Sequence, residues 1–300
     1  MYIVRHRVLF FWITGIIFTA AIGAILTLGL PLGIDFSGGS LMQVKYPNGV
    51  PAITTIEKQV SMVPLGSVSV RSSGSDSISI RTRTMTPAEH DAVLAAISSS
   101  GDVVTELSYT SVGPSLGSQF ATKALWAIFA VALVIVLYIA FAFRKVSRPV
   151  SSWYYGLAVI IILLHDFIIP AGFFALLTYF TDAQVDALFV TALLALLGYS
   201  VNDTIVIFDR VREKLAHNEK TNIKEPFELT VGRSIDETMT RSINTSLTTA
   251  LSLGALVFFG AEVTRDFALV MLVGVIAGTY SSILLAAPLL IPLANRFAKK

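Results

Sequence analysis

Asn202 and Asp203 stand side by side in an otherwise apolar run, within Gly198-Tyr-Ser-Val-Asn-Asp-Thr-Ile-Val-Ile-Phe-Asp-Arg210. A carboxylate at the centre of a membrane helix costs about 2.5–3.5 kcal/mol on insertion scales, so such a residue either serves an ion or proton path or ties helices together. A second polar series follows in Thr240-Arg-Ser-Ile-Asn-Thr-Ser-Leu-Thr-Thr249. There Arg241, Asn244 or Thr245, Thr248 and Ser252 recur at helical three- and four-residue steps and share one face. That face is expected against a partner helix or a water-filled cleft, with Arg241 either inside it or snorkelling to the inner interface. A third group is Leu164-His-Asp-Phe167, with Pro170 one turn on. His165 and Asp166 would either shuttle protons or cross-link helices. Tyr199 and Ser200, one turn before Asp203, are placed to hydrogen-bond to the same cluster.

Together these residues describe a polar core inside a helix bundle. Burial favours a neutral carboxyl, and a neighbouring guanidinium favours an ionised one. Separating Asp203 from Arg241 would therefore load a proton, and reunion would release it. One charge crossing 100 mV gains only about 2.3 kcal/mol, so mechanical work would need several protons. The chain contains no HExxH or Walker motif, so no enzyme is expected. With no cysteine and four scattered histidines, neither a metal site nor a cofactor is expected. Asp35, in Gly33-Ile-Asp-Phe-Ser-Gly-Gly39, could hold an ion, although Gly33, Gly38 and Gly39 suit a tight turn leading out of the membrane.

The elements that must position these groups follow from composition. Across 300 residues, 14% are charged and the mean hydropathy is +0.72, the balance of an integral membrane protein. Apolar runs long enough to cross about 30 Å of hydrocarbon lie near Val8–Leu30, Phe120–Phe143, Val150–Leu177, Val185–Phe208, Ile243–Gly260 and Phe267–Leu293. Arg5, Arg7, Arg144, Lys145, Arg148, the basic residues between Arg210 and Arg241, and Arg296, Lys299 and Lys300 fall on one side. The positive-inside rule then puts both termini in the cytoplasm. The net charge of +2 gives no reason to expect nucleic acid. The first run is longer than a signal-peptide core and is expected as a retained anchor.

Between the first two runs the pattern becomes that of a soluble unit. Strands are expected at Leu41–Tyr46, Val68–Arg71, Ser77–Arg83 and Val103–Tyr109, the middle pair joined as a hairpin around Ser72–Asp76. Helices are expected at Ile53–Met62 and from Thr86-Pro-Ala-Glu89 to Ile97, the second opened by a capping box. This β-α-β-β-α-β order is ferredoxin-like. The predicted organisation is residues 1–33 as anchor, 34–117 as an extracytoplasmic α+β domain, and 118–300 as five further membrane helices. Val112–Gln119 reads as a hinge or a plain loop, and Asp209–Thr240 as surface-lying amphipathic helices or a connector.

GIDFSGG at 33–39, GYSVNDTIVIFDR at 198–210, RSINTSLTT at 241–249 and GTYSSILLAAPLL at 278–290 together resemble the SecD/SecF family of the resistance-nodulation-division superfamily, and NDTIVIFDR with the span-five motif resembles its SecF branch. The resemblance covers nearly the whole chain. It implies a subunit of the bacterial inner membrane that pairs with SecD, joins the SecYEG channel with or without YajC, and uses the proton motive force to move unfolded exported polypeptide. It implies that Asp203 and Arg241 serve proton conduction, with Asn202 and Thr248 in support. Two positions depart from the pattern: Ser242 stands where the family commonly has Thr, and Gln119 where Glu is frequent. No charge-dependent role passes to Gln119. The alternatives are a proton-driven small-molecule exporter of the same superfamily, a non-conducting assembly or docking subunit, and, more remotely, an intramembrane protease using Asp166 and Asp203.

Overall fold

A computed structural model of the chain describes residues 1–73, 76–98, 104–143, 152–181 and 183–297. It divides into two compact units. One comprises residues 1–30, 126–183 and 188–300; the other comprises 31–125 and 184–187.

Six helices among the described residues are long and apolar enough to cross a membrane. A short helix α1 (Tyr2–Arg5) precedes α2 (Arg7–Leu28). After the smaller unit come α6 (Pro114–Ala142), α7 (Ser152–Phe180), α8 (Ala187–Thr221) and α9 (Phe227–Phe259). The sixth starts as α10 (Glu262–Ser281), passes through a π turn at Ser282–Ala286 and ends as α11 (Ala287–Phe297). Each apolar stretch is continuous because no run is interrupted by enough polar backbone-competing residues to end it. Pro170 and Pro292 are carried inside helices, as membrane helices permit when neighbours re-satisfy the freed carbonyl.

The second span starts earlier than its hydropathy suggests. Pro114 opens α6, so residues 114–119 are helix and not loop, with Gly113 as the connection from the preceding strand. Proline at a first helical position lacks only an N–H that would be orphaned anyway. The segment Asp209–Thr240 also differs from expectation. Instead of separate amphipathic helices, α8 and α9 themselves run on through it, joined by residues 222–226, where Asn222 takes φ 56° just past the end of α8. Arg210 and Lys214 on α8 both pair with Glu237 on α9, and Arg210 also reaches Glu213 at 2.6 Å. Charges that would have faced headgroups therefore zip the two extensions together.

Two large packing contacts organise this unit. The aromatic rings of Phe143 and Tyr155 stack at 5.1 Å and Phe208 meets both edge-on, closing a core of α6, α7, α8 and α11 residues. On another side α2 lies against α7, where Gly172 permits close approach. A Cβ there would sit 2.5 Å from Ala21 Cβ and 2.8 Å from its carbonyl oxygen. Since Ala21 presents backbone, not a flexible tip, Gly172→Ala is expected to force the helices apart and cost about 1–3 kcal/mol, the range for overpacking. Equilibrium unfolding in mixed micelles measures that loss.

In the smaller unit α3 (Ile34–Ser37) precedes β1 (Gly39–Lys45), α4 (Ile53–Val60), β2 (Ser69–Ser72), β3 (Ser77–Thr82), α5 (Pro87–Ser98) and β4 (Thr105–Val112). The four strands form an antiparallel sheet in the order β2-β3-β1-β4. Met42 pairs with Ile80 and Val44 with Ile78, so alternate residues enter a core that also takes Ile56, Val60, Val93 and Ile97 from the two helices. Residues 74 and 75 of the expected hairpin tip, Val103 of the expected last strand and Val150 of the expected third span lie outside the described residues.

The predicted capping box forms. Glu89 accepts from the Thr86 amide at 2.8 Å, and the Glu89 amide donates to Thr86 Oγ1 at 3.3 Å. Arg83 beside Glu89, and then the Thr86 donors, hold that carboxyl down at about 2, against 4.5 when unperturbed. Its contribution is therefore complete above the unperturbed value and disappears as pH falls towards 2. Thermal melts from pH 6 to pH 3 are expected to show a steeper acid loss in the wild type than in Glu89→Gln.

Candidate functional site

Two polar clusters form inside the helical unit, one turn of α8 apart. The first starts with the consecutive residues His165 and Asp166 on α7, 2% and 1% exposed. His165 Nδ1 lies 2.7 Å from Asp166 Oδ1. Tyr280 of α10 reaches the other ring nitrogen, Nε2, at 2.6 Å. On the opposite side the Ser200 hydroxyl of α8 donates to Asp166 Oδ2. Phe18 of α2 stacks over the imidazole with ring centres 6.2 Å apart. Four helices thus converge on one histidine–aspartate pair, and its polar atoms face protein, not lipid.

α8 approaches α10 closely because the facing positions are glycines. A Cβ on Gly278 would come within 3.0 Å of Ser200, and Gly274 faces Leu196. The contact continues into the π turn, where Ser282 Oγ lies 2.8 Å from Thr204 Oγ1 and donates to the Ser200 carbonyl at 3.4 Å. A π turn loosens the regular ladder and often accompanies functional positions.

The second cluster surrounds Asp203, which is 6% exposed. Ser246 of α9 donates to its Oδ2 at 3.4 Å. Thr279 Oγ1 of α10 stands 2.6 Å from Ser246 Oγ, and Tyr199 donates towards Ser246 and Thr249 at 3.5 and 3.3 Å. Asp203 therefore sits at the end of a hydroxyl chain drawn from α8, α9 and α10. Hydroxyls both donate and accept and can re-orient, which is what proton hand-over along such a chain requires.

The predicted residues divide between two faces. His165, Asp166, Ser200, Asp203 and the partly buried Tyr199 point into the chain's own bundle. Asn202, Arg241, Asn244, Thr245 and Thr248 are exposed. No ion pair joins Asp203 to Arg241 among the described residues. The expected polar stripe on α9 exists, but it is the opposite series, Ser242, Ser246 and Thr249, that turns inward. Asp166 and Asp203 engage different partners and do not form a facing catalytic pair. Ser246, Thr279, Tyr280, Ser282 and Thr204 were not singled out from the sequence. The hydroxyl-rich Gly278-Thr-Tyr-Ser-Ser282 within an apolar run was the available signal.

The Gly33–Gly39 motif has a different task. Gly33 and Val185 exchange backbone contacts, with Gly33 N donating to Val185 O at 2.8 Å. Asp35 accepts from the Ala187 amide at 2.9 Å, at the first turn of α8; its carboxylate is used as a helix cap. Gly38 and Gly39 take φ 74° and 128°, and a Cβ on Gly39 would meet the Thr82 carbonyl at 2.7 Å. Positive φ and close backbone together require glycine there.

The architecture defines a polytopic helical membrane protein carrying a small α/β unit. Residues 92–296 match the family described as protein export membrane protein SecD/SecF, C-terminal, and residues 23–46 match the SecD/SecF GG motif. The chain belongs to the SecD/SecF family, as a SecF. It is 38% identical to the protein translocase subunit SecF of Thermobaculum terrenum, over 98% of this chain and 94% of that protein. It is 35% identical to the SecF of Sebaldella termitidis, over 99% of this chain and 92% of that one. The crystal structure of SecDF, a translocon-associated membrane protein from Thermus thermophilus, superposes with a TM-score of 0.82 at 28% identity. That alignment covers all of this chain and 39% of the SecDF chain. The super-membrane-facing form of SecDF gives 0.66 at 30% identity.

Proposed function

We propose that this chain works with SecD as the SecF half of a machine that uses the proton motive force to promote polypeptide translocation. The observation that carries the proposal is Asp203: a buried acid in the middle of a membrane helix, hydrogen-bonded to Ser246 at the head of a chain of hydroxyls. Such an acid is costly and is retained where charge or protons move. The exposed α9 stripe ending in Arg241 supports a complement outside this chain, and SecD is the occupant suggested by the SecDF structures. In this reading the path is completed when SecD closes over Arg241, Asn244 and Thr248. No cofactor other than protons is needed, and the chain is not an enzyme.

The same reading places the chain in the bacterial inner membrane with both termini cytoplasmic and residues 34–117 outside. The distribution of basic residues supports that orientation. The β-α-β-β-α-β order with strand order β2-β3-β1-β4 supports a ferredoxin-like unit there, placed to act on unfolded polypeptide leaving SecYEG, with or without YajC. The deciding experiment is proton flux out of the lumen of inverted vesicles containing this chain, SecD, SecYEG and a translocating substrate. Flux that persists when Asp203 cannot ionise would leave a non-conducting assembly subunit.

A further inference from the structure

The buried pair His165–Asp166 has no part in the path assigned to Asp203, yet its surroundings suit a proton. A carboxylate only accepts hydrogen bonds, so Asp166 fixes the tautomer of its neighbour. Nδ1 of His165 carries the ring hydrogen and donates to Asp166 Oδ1 at 2.7 Å. Nε2 is then the free base, and the Tyr280 hydroxyl donates to it at 2.6 Å. Asp166 Oδ2 accepts from Ser200. Few other groups face the pair. α2 brings the ring of Phe18 and has no titratable residue between Val8 and Leu28. α10 offers Tyr280 alone between Phe267 and Ser281, and the π turn offers none. On α8, Asp203 and Tyr199 turn to Ser246 instead. No Lys or Arg among the described residues pairs with Asp166. The pair therefore carries one uncompensated negative charge while the imidazole is neutral, and none once the ring holds a second proton. In a low-dielectric interior a lone charge is costly, whereas a hydrogen-bonded ion pair is tolerated. The hydrogen bonds also survive the change. A phenol hydroxyl both donates and accepts, so Tyr280 can accept from a protonated Nε2 while Nδ1–H stays on Asp166.

We propose that His165 is a second proton-holding site, separate from Asp203, which takes up a proton at Nε2 through the Tyr280 hydroxyl. The proposal rests on the proton-driven reading above and deepens it, because mechanical work needs several charges and this site supplies one more. The step balances without a further reactant. A proton arriving at the Tyr280 oxygen releases the hydroxyl's own hydrogen to the ring. The O–H bond on the imidazole side breaks as the Nε2–H bond forms, and the incoming proton becomes the new hydroxyl hydrogen, turned away from the ring. The phenol ends neutral and the imidazole ends as the cation, paired with Asp166. Tyr280 is suited to the hand-over because it is only half-buried, whereas His165 is enclosed. Its neighbour in the chain, Thr279, bonds to Ser246 in the second cluster, so adjacent residues of α10 serve the two sites.

The test is nitrogen-15 NMR of the full chain in nanodiscs, labelled at histidine. Of the four histidines, the other three are removed together by His6→Gln, His90→Gln and His217→Gln, so every ring signal belongs to His165 and its own contacts stay intact. Spectra run from about pH 8.5 to about pH 4.5, two units either side of the ordinary imidazole value of about 6.5. Nε2 is expected to pass from the unprotonated to the protonated shift while Nδ1 stays protonated throughout. Tyr280→Phe keeps the aromatic ring and removes only the hydroxyl. The imidazolium then loses its acceptor, and half-protonation is expected at a proton concentration about tenfold higher, the scale of one charge-assisted hydrogen bond. In Asp203→Asn the titration is expected to persist. Failure of Asp203 to matter for flux and failure of His165 to titrate are therefore separate results. A ring that stays in one state across the whole range makes the pair a helix cross-link and overturns the proposal. So does a titration that Tyr280→Phe leaves unmoved.

Discussion

Asp203→Asn is expected to reduce proton flux through the assembled complex to background, a loss of about 100-fold or more, the scale of removing a positioned proton-transfer group. The substitution keeps the shape of the side chain, and its carbonyl oxygen still accepts from Ser246. Helix packing around α8, α9 and α10 should therefore survive, and the complex should be recovered at normal yield. What disappears is the ability to take and release a proton. Ser246 and Thr279 are expected to behave differently, because a hydroxyl chain tolerates one interruption if water can enter. Ser246→Ala should slow flux without abolishing it. Flux measured with a translocating substrate, alongside recovery of the complex, separates these outcomes. Undiminished flux in Asp203→Asn would make the second cluster structural.

Asp166→Ala is expected to be the most damaging single change to the stability of the helical unit. It removes the acceptor for both His165 and Ser200. Each buried polar group left without a partner costs about 1–3 kcal/mol, so the combined loss is about 2–6 kcal/mol. The damage spreads because His165 also orients Tyr280, and Ser200 lies at the α8–α10 contact beside Gly278. Asp166→Asn keeps one acceptor and should cost less than half as much. The comparison distinguishes a helix cross-link, for which Asn nearly suffices, from a titrating group, for which it does not. Unfolding curves in mixed micelles give the stability, and flux in the Asn variant gives the function.

These two aspartates illustrate how far the sequence could be read. Both were conspicuous because a charge in an apolar run is rare, and the six helices were legible for the same reason. The sheet was legible because period-two alternation at Met42, Val44, Ile78 and Ile80 has only one comfortable interpretation. The hydroxyl partners were not. On α9 two polar series interleave, Arg241, Asn244, Thr245 and Thr248 on one face and Ser242, Ser246 and Thr249 on another. Spacing identifies both as stripes but does not say which one turns inward. Serine and threonine in membrane helices also satisfy themselves locally, as Thr245 does by donating to the Arg241 carbonyl at 2.9 Å. A hydroxyl that works across helices therefore looks the same as one that does not. The helical hairpin at Asn222 was missed for a related reason: a charged stretch suits water, a headgroup layer or a second charged rod, and only the pairing of Arg210 and Lys214 with Glu237 decides among them.

The outward stripe on α9 also bears on how the cell regulates abundance. A copy inserted alone would present an arginine, an asparagine and two threonines to acyl chains, an unfavourable state that persists until something covers them. Membrane quality-control proteases remove proteins that hold such states for long. A copy with that face uncovered is therefore expected to be shorter-lived than one with it covered, which a pulse-chase of the two would measure.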